Sequence, residues 1–333
     1  ISAATIIDTG STDDTRERVR VHGWEVIERP WVNFGVNRSQ AFALALGTAD
    51  WLLASDADMV WSIEPDFAPG CCGSHDVCDT DHWSCPTKPD AYMIEMGGHT
   101  DFSYRLPLLL RGDLPWRSVG AVHEYTALPD RAYVSQPTNA VRIDMGSEDR
   151  WTPQKAGWHA SLLEADLARD PDNARTVFYL AQSLRTLGRT DEARILYRRR
   201  ATMGGYAEEA FYAAYRAALL EPEWPERAAA LMAAWEMRPS RLEPLHALVS
   251  ECNRRSLHAT AYRLTEGLPG VCGDNLFVHR SVWDYGMKFE RSIAAWWTGH
   301  IAEARVLNDE LLVNPRLPDD VRAAVTRNRA FAA

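Results

Sequence analysis

Two stretches, TIIDTGSTD at residues 5–13 and WLLASDAD at residues 51–58, decide how the first half of the chain folds. Each runs from apolar residues into acidic ones, a pattern that predicts a buried strand carrying carboxylates to the edge of a sheet. Because side chains alternate along a strand with a period of two, we expect Asp56 and Asp58 to point the same way. Such a pair suits a hard divalent cation and the phosphates that it neutralises.

Around these stretches, residues 1–150 alternate short β-type runs with helical segments, which predicts an α/β sheet with crossover helices. The predicted elements are strands near residues 3–7, 24–29, 51–55, 91–94, 106–110 and 133–143, and helices near 15–22 and 38–46. Gly10 supplies a tight turn after the first strand, where backbone N–H groups can meet a ligand phosphate. Residues 67–89 are rich in Gly, Pro, Asp and Cys, and we interpret them as an insertion loop.

From residue 151 to residue 333 the pattern becomes helical, rich in Ala, Leu, Arg and aromatic residues. Residues 173–193 resemble a tetratricopeptide repeat, a helix–turn–helix unit of about 34 residues, and two such periods separate Pro171 from Pro239. Further units are expected at 207–236 and around 294–304, so this half is predicted to be a short helical array.

Tryptophans are frequent in the helical half, and they could form either its core or a carbohydrate-stacking surface. Their helical spacing favours the core. The residues concerned are Trp151, Trp158, Trp224, Trp235, Trp283, Trp296 and Trp297.

The composition narrows the classes of function. The chain of 333 residues is 46% apolar and carries a net charge of −10, without a dense block of Lys and Arg. This argues against a nucleic-acid duplex or an anionic membrane as a partner. The sequence shows neither an apolar run of about 18 residues nor a signal-peptide pattern, so we expect a soluble, cytoplasmic protein in two domains.

Taken together, the motifs resemble the inverting family 2 glycosyltransferases of GT-A fold, in the branch with a C-terminal tetratricopeptide array. The resemblance implies a Rossmann-like α/β GT-A domain over residues 1–150 and a tetratricopeptide-like helical domain over residues 151–333. Members of this family begin with a further strand and helix that form the first wall of the nucleotide pocket, and this sequence starts almost at the turn. The residues that carry the resemblance are residues 8–13, Asn37, Arg38, residues 56–58, Trp116, residues 122–124, residues 174–182 and residues 238–245.

The resemblance also implies a donor site for a UDP- or GDP-sugar. Residues Asp8, Thr9, Gly10 and Ser11 would line the base and ribose. Arg38 would approach the diphosphate. Asp56 and Asp58 would form the Asp-x-Asp motif that holds Mn²⁺ or Mg²⁺ against the phosphates.

On the acceptor side, the resemblance makes Glu124 the base that deprotonates the acceptor hydroxyl, for direct displacement at the anomeric carbon. Trp116, His123 and Asp144 are candidates for contacting the acceptor or the metal. Glu124 could instead pair with an arginine such as Arg105 or Arg111. A protein, peptide or small molecule would fit as acceptor.

The insertion loop contains residues that could form a second metal site. Cys72, Cys78 and Cys85, with His75 or His82, supply enough thiol and imidazole for structural Zn²⁺, although the spacings are not those of a zinc ribbon. Free thiols in an acceptor loop are the default interpretation.

Two other functions compete with the transferase. One is a non-catalytic scaffold, in which a degenerate transferase domain accompanies repeats that bind a partner or form a homodimer through the helical domain. The other is a nucleotidyltransferase, which the lack of a Gly-rich basic phosphate loop disfavours.

Overall fold

The computed structural model describes residues 3–70, 88–97, 104–145, 152–268, 270 and 277–331. The chain divides into two compact units, residues 1–171 and 172–333. The first is an α/β unit with a mixed sheet, and the second is a helical array, as the sequence predicts at this level. Within the described residues, no helix is long and apolar enough to cross a membrane.

The first unit opens with a β–α–β crossover. Strand β1 (Thr5–Asp8) pairs in parallel with β2 (Glu25–Glu28), and helix α1 (Thr15–Val21) joins them. Ile6 lies opposite Val26 in this register. This part of the α/β prediction is confirmed.

The larger sheet differs from the expected crossover arrangement, because most of its neighbouring strands are antiparallel. Its order is β3-β6-β5-β9-β4, and only the β5–β9 pair is parallel. Ile94 and Ile143 are fully buried at its centre. The strands are β3 (Trp51–Leu53), β4 (Met59–Ile63), β5 (Ala91–Gly97), β6 (Tyr104–Arg111) and β9 (Ser135–Met145).

Three further elements complete the first unit: helix α2 (Phe34–Ala45), a hairpin of β7 (Arg117–Val119) and β8 (Tyr125–Ala127), and helix α3 (Pro153–Arg169). Helix α3 falls in this unit because the boundary lies between residues 171 and 172, not at 150 as the sequence suggested. Its aromatic face explains the difference: Trp158 and His159 contact Phe34, with ring centroids 5.6 and 6.2 Å apart.

The second unit consists of helices joined in hairpins. Gly188, with φ of +76°, and Gly299, with φ of +86°, make two of the turns. The predicted helical units at 173–193, 207–236 and 294–304 each fall on such a hairpin. The helices are α4 (Ala174–Thr186), α5 (Thr190–Thr202), α6 (Ala207–Leu219), α7 (Trp224–Met237), α8 (Glu243–Arg254), α9 (His258–Leu264), α10 (Met287–Trp297), α11 (Ile301–Leu312) and α12 (Asp319–Phe331), with a π-helical turn (Val282–Gly286) before α10.

The tryptophan prediction holds for four members of the set. Trp224, Trp235, Trp283 and Trp296 pack against the core of the helical unit. Two others depart from it, because Trp297 is 60% exposed and Trp158 belongs to the first unit. Trp151 lies outside the described residues, so its role stays a prediction.

Candidate functional site

Arg38 joins two carboxylates that are distant in sequence. Its Nη2 donates to both Oδ atoms of Asp56, at 2.5 and 2.6 Å, and its Nε lies 2.9 Å from Oε1 of Glu124. The planar guanidinium can serve two carboxylates at once because its donors are fixed in a fork. Three residues predicted for the donor and catalytic sites therefore meet in one cluster, and the partner of Glu124 is Arg38 rather than Arg105 or Arg111.

The cluster is only partly shielded from solvent. The side chain of Glu124 is 10% exposed, whereas those of Arg38 and Asp56 are 32% and 42% exposed. An incoming anion can therefore reach the guanidinium, and it would compete with carboxylates that are themselves partly hydrated.

Close docking of α2 on the β7–β8 hairpin brings Arg38 to Glu124. Ser39 Oγ donates to the carbonyl of Ser118 at 3.1 Å and accepts from the N–H of Ser118 at 2.9 Å. Gly35 permits this contact, since a Cβ there would lie 2.4 Å from the carbonyl oxygen of Gly120. A glycine shortly before the helix predicted at 38–46 is the signal that could have revealed this close approach.

The backbone that follows Asp8 turns so that a backbone N–H group donates to the Asp8 carboxylate. The N–H of Ser11 lies 3.1 and 3.3 Å from the two Oδ atoms of Asp8, which is buried, and Arg16 Nε lies 3.8 Å from Oδ2. The hydrogen bond from Ser11 holds the pKa of the Asp8 carboxyl below its ordinary value. Gly10, with φ of +120°, adopts backbone geometry that other residues rarely take, while Thr9 is half-buried.

Asp56 and Asp58 lie in a turn instead of on a strand. Strand β3 ends at Leu53, and the N–H of Met59 donates to the carbonyl of Asp56 at 3.3 Å. The period-two argument for their shared direction was therefore wrong, because it assumed extended backbone through Asp58. Asp58 is exposed to solvent.

The donor set at this turn suits a divalent cation in its chemistry but supplies only part of a coordination shell. Both aspartates offer carboxylate oxygens, which Mg²⁺ prefers, and that ion commonly completes its shell with phosphates and water. Among the described residues, no group of three or more His, Cys, Asp or Glu side chains is placed to hold a metal. The Asp56 carboxylate is also shared with Arg38.

The three accessory candidates have different surroundings. Trp116 is 3% exposed in the sheet core, and its Nε1 donates to the carbonyl of Arg111 at 2.7 Å, so it packs the fold and offers no face to an acceptor. His123 is half-buried, with φ of +52°, beside Glu124. The backbone of Asp144 pairs with Val60 in the sheet, and its side chain lies outside the described part of the chain.

The cysteine-rich loop lies outside the described residues, so the proposed zinc ligands Cys72, Cys78, Cys85, His75 and His82 have no structural description. The zinc site stays a prediction.

Sequence reasoning missed an aromatic cluster beside the hairpin. Its members come from the segment before α2, from α2 itself, from the hairpin and from α3. The sequence pattern places Trp158 in the helical half, so it does not predict a contact with residues more than a hundred positions earlier. The members are Trp31, Phe34, His123, Trp158 and His159.

Comparison with known proteins adds no assignment. No protein-family model and no curated protein matches this chain.

Proposed function

We propose that the protein is a metal-assisted glycosyltransferase whose first unit is a GT-A-like domain for a UDP- or GDP-sugar. The observation that carries the proposal is the convergence of Arg38, Asp56 and Glu124 from three separate segments. Phosphate recognition, cation binding and proton abstraction need these three residue types close together.

Arg38 would change partners when the donor binds. Its guanidinium holds Asp56 and Glu124 together in the free protein, and a diphosphate offers the same bidentate geometry with more negative charge. Pairing with the phosphates would release the Asp56 carboxylate. Asp56 and Asp58 would then hold Mn²⁺ or Mg²⁺, which supplies charge neutralisation for the leaving diphosphate.

The transfer itself needs one proton acceptor. The oxygen of the acceptor hydroxyl forms a bond to the anomeric carbon, the bond from that carbon to the diphosphate oxygen breaks, and the nucleoside diphosphate leaves with the electron pair. The hydroxyl proton passes to the carboxylate of Glu124. With attack and departure on opposite faces, the anomeric configuration inverts.

Calorimetric titration with UDP and GDP, with and without Mn²⁺, tests the donor site. We expect metal-dependent binding that weakens about tenfold or more in Arg38→Ala and Asp58→Ala, since a charge-assisted hydrogen bond contributes about 1.5–3 kcal/mol. Arg18→Ala is the matched control, because Arg18 is an exposed arginine of the same unit that pairs with Asp14 at 2.9 Å. Absence of binding by both nucleotides would contradict the proposal.

The scaffold alternative draws on a cavity in the helical unit. Its volume is about 210 Å³, and basic and polar side chains of α7 and α8 share its wall with apolar ones. A protein that binds neither nucleotide but retains this cavity would fit that second function. The cavity is lined by Leu219, Arg227, Leu231, His246, Ala247, Ser250, Glu251 and Arg254.

A further inference from the structure

Two exposed indole rings, inclined at 37° to each other, and a phenyl ring that meets the Trp31 ring edge-on at 86° form an aromatic surface on the first unit. The ring centroids of Trp31 and Phe34 are 5.0 Å apart, those of Trp31 and Trp158 are 5.5 Å apart, and those of Phe34 and Trp158 are 5.6 Å apart. Trp31 is 37% exposed and Trp158 is 42% exposed. We call Trp31, Phe34 and Trp158 the aromatic platform.

Two sets of contacts place the aromatic platform next to the charged cluster, which consists of Arg38, Asp56 and Glu124. Phe34 precedes Arg38 by four positions on α2, so the two side chains share a face of the helix, about 6 Å apart along its axis. On the other side, the buried ring of His159 contacts Phe34 at 6.2 Å and His123 at 5.4 Å. His123 directly precedes Glu124, which pairs with Arg38.

The backbone fixes this arrangement. The N–H of Phe34 donates to the carbonyl of Ala121 at 3.2 Å, which ties the start of α2 to the hairpin that carries Glu124. A rigidly placed, solvent-facing group of large apolar side chains is a feature of binding sites.

We propose that the aromatic platform is the acceptor subsite and that the acceptor is a carbohydrate. The C–H face of a pyranose ring is apolar and flat enough to pack on an indole ring, while its hydroxyl groups require polar partners at the rim. His123 and Glu124 provide such partners on the side of the platform that faces the charged cluster.

This inference rests on the proposed transferase function, because the role of Glu124 as general base determines where the acceptor hydroxyl must lie. A general base must lie within hydrogen-bond distance of the hydroxyl that it deprotonates. The acceptor therefore lies beside Glu124, and the aromatic platform is an adjoining surface that carries exposed rings. A protein acceptor could present a serine or threonine hydroxyl to Glu124 as well, and it would leave the carbohydrate probes without saturation transfer.

Saturation-transfer NMR with the full chain tests the platform, with chitotetraose, cellotetraose and maltotetraose as probes. We expect saturation transfer to the ring C–H protons of at least one probe, reduced at least about fivefold in Trp31→Ala and Trp158→Leu. Trp158→Phe should keep most of the signal because it retains a flat ring. Trp24→Ala is the matched control, since Trp24 is 42% exposed in the same unit and lies outside the platform.

Calorimetric binding of UDP and GDP to the same samples separates the two proposals. Nucleotide binding with no saturation transfer to any probe, or with transfer that the platform variants leave unchanged, would overturn the carbohydrate subsite and leave the donor site standing. Saturation transfer that depends on Trp158, without nucleotide binding, would show that the platform binds carbohydrate but would overturn the transferase and, with it, the role of the platform as an acceptor subsite. Unchanged thermal unfolding of both Trp158→Phe and Trp158→Leu would show that a loss of signal in Trp158→Leu reflects the missing ring.

Discussion

Two charged clusters, one in each unit, differ in how far they are shielded from solvent. In the helical unit, Arg241 and Glu243 form an ion pair at 2.9 Å with both side chains completely buried. In the α/β unit, Arg38 holds Asp56 and Glu124 with 32% of the arginine side chain and 42% of the aspartate side chain exposed to solvent. A sealed pair stabilises one packing arrangement, whereas an open cluster can exchange a carboxylate for a ligand.

The largest expected effect is on the sealed pair. Arg241→Met leaves Glu243 buried without its arginine, which costs about 3–5 kcal/mol of unfolding free energy. Urea unfolding of the full chain measures this. The double variant Arg241→Met/Glu243→Leu should recover most of the loss, because two apolar residues carry no unpaired charge. Equal destabilisation of the single and double variants would mean that packing, and not charge, dominates there.

A smaller effect is expected where α2 meets the hairpin. Gly35→Ala places a methyl group 2.4 Å from the carbonyl oxygen of Gly120, and forcing the two segments apart costs about 1–3 kcal/mol. Because this contact sets the distance from Arg38 to Glu124, nucleotide binding should weaken as well. Gly270→Ala is the control, since a Cβ there meets no atom within 4 Å. Equal thermal unfolding of the two variants would contradict the close approach.

The helical unit should lose stability on mild acidification. Burial lowers the pKa of His246, while Glu243 and Glu290 act in the opposite direction. The folded protein thus binds this proton less tightly than the unfolded chain, whose imidazole titrates near 6.5, so stability falls as the pH drops below that value.

The slope of this acid effect has an upper bound of about 1.4 kcal/mol per pH unit for each histidine involved. Burial also lowers the pKa of His279, which lies near Glu243 as well. Urea unfolding between pH 7.5 and 5.5 should show the decline, and His246→Gln should flatten it. An unchanged slope in that variant would assign the acid sensitivity to other groups.

The smallest expected effect on stability is at the open cluster. Arg38→Ala should change the free energy of unfolding by no more than about 1 kcal/mol, because partly exposed ion pairs contribute little. Nucleotide binding in the same variant should nevertheless fall by about tenfold or more. Differential scanning calorimetry and nucleotide titration on one sample check both statements. A large loss of stability would make Arg38 a structural residue like Arg241.

Much of the fold was predictable because local patterns decided it. The β1–α1–β2 crossover, α2 and the helical hairpins follow from apolar periodicity and from glycines such as Gly188. The boundary between the units was not, because α3 reads as one more amphipathic helix, and only its contacts with Phe34 assign it to the first unit.

The candidate site shows the same division. The sequence identified Arg38, Asp56 and Glu124 as residue types suited to donor binding and proton transfer. Its period-two argument assumed extended backbone through Asp58, whereas β3 ends at Leu53, and it made Trp116 a candidate acceptor or metal contact, whereas that ring is buried in the core of the sheet. The length of β3 and the burial of Trp116 depend on the neighbouring strands.

By itself, the sequence determined the order of the two units and the chemical groups of the site, since these follow from local propensity and residue identity. Only the tertiary structure decided that Arg38 bridges Asp56 and Glu124 and that Trp31 and Trp158 share one platform. The physical reason is distance along the chain: such contacts form when packed helices and strands bring remote segments together, and no local pattern encodes that packing.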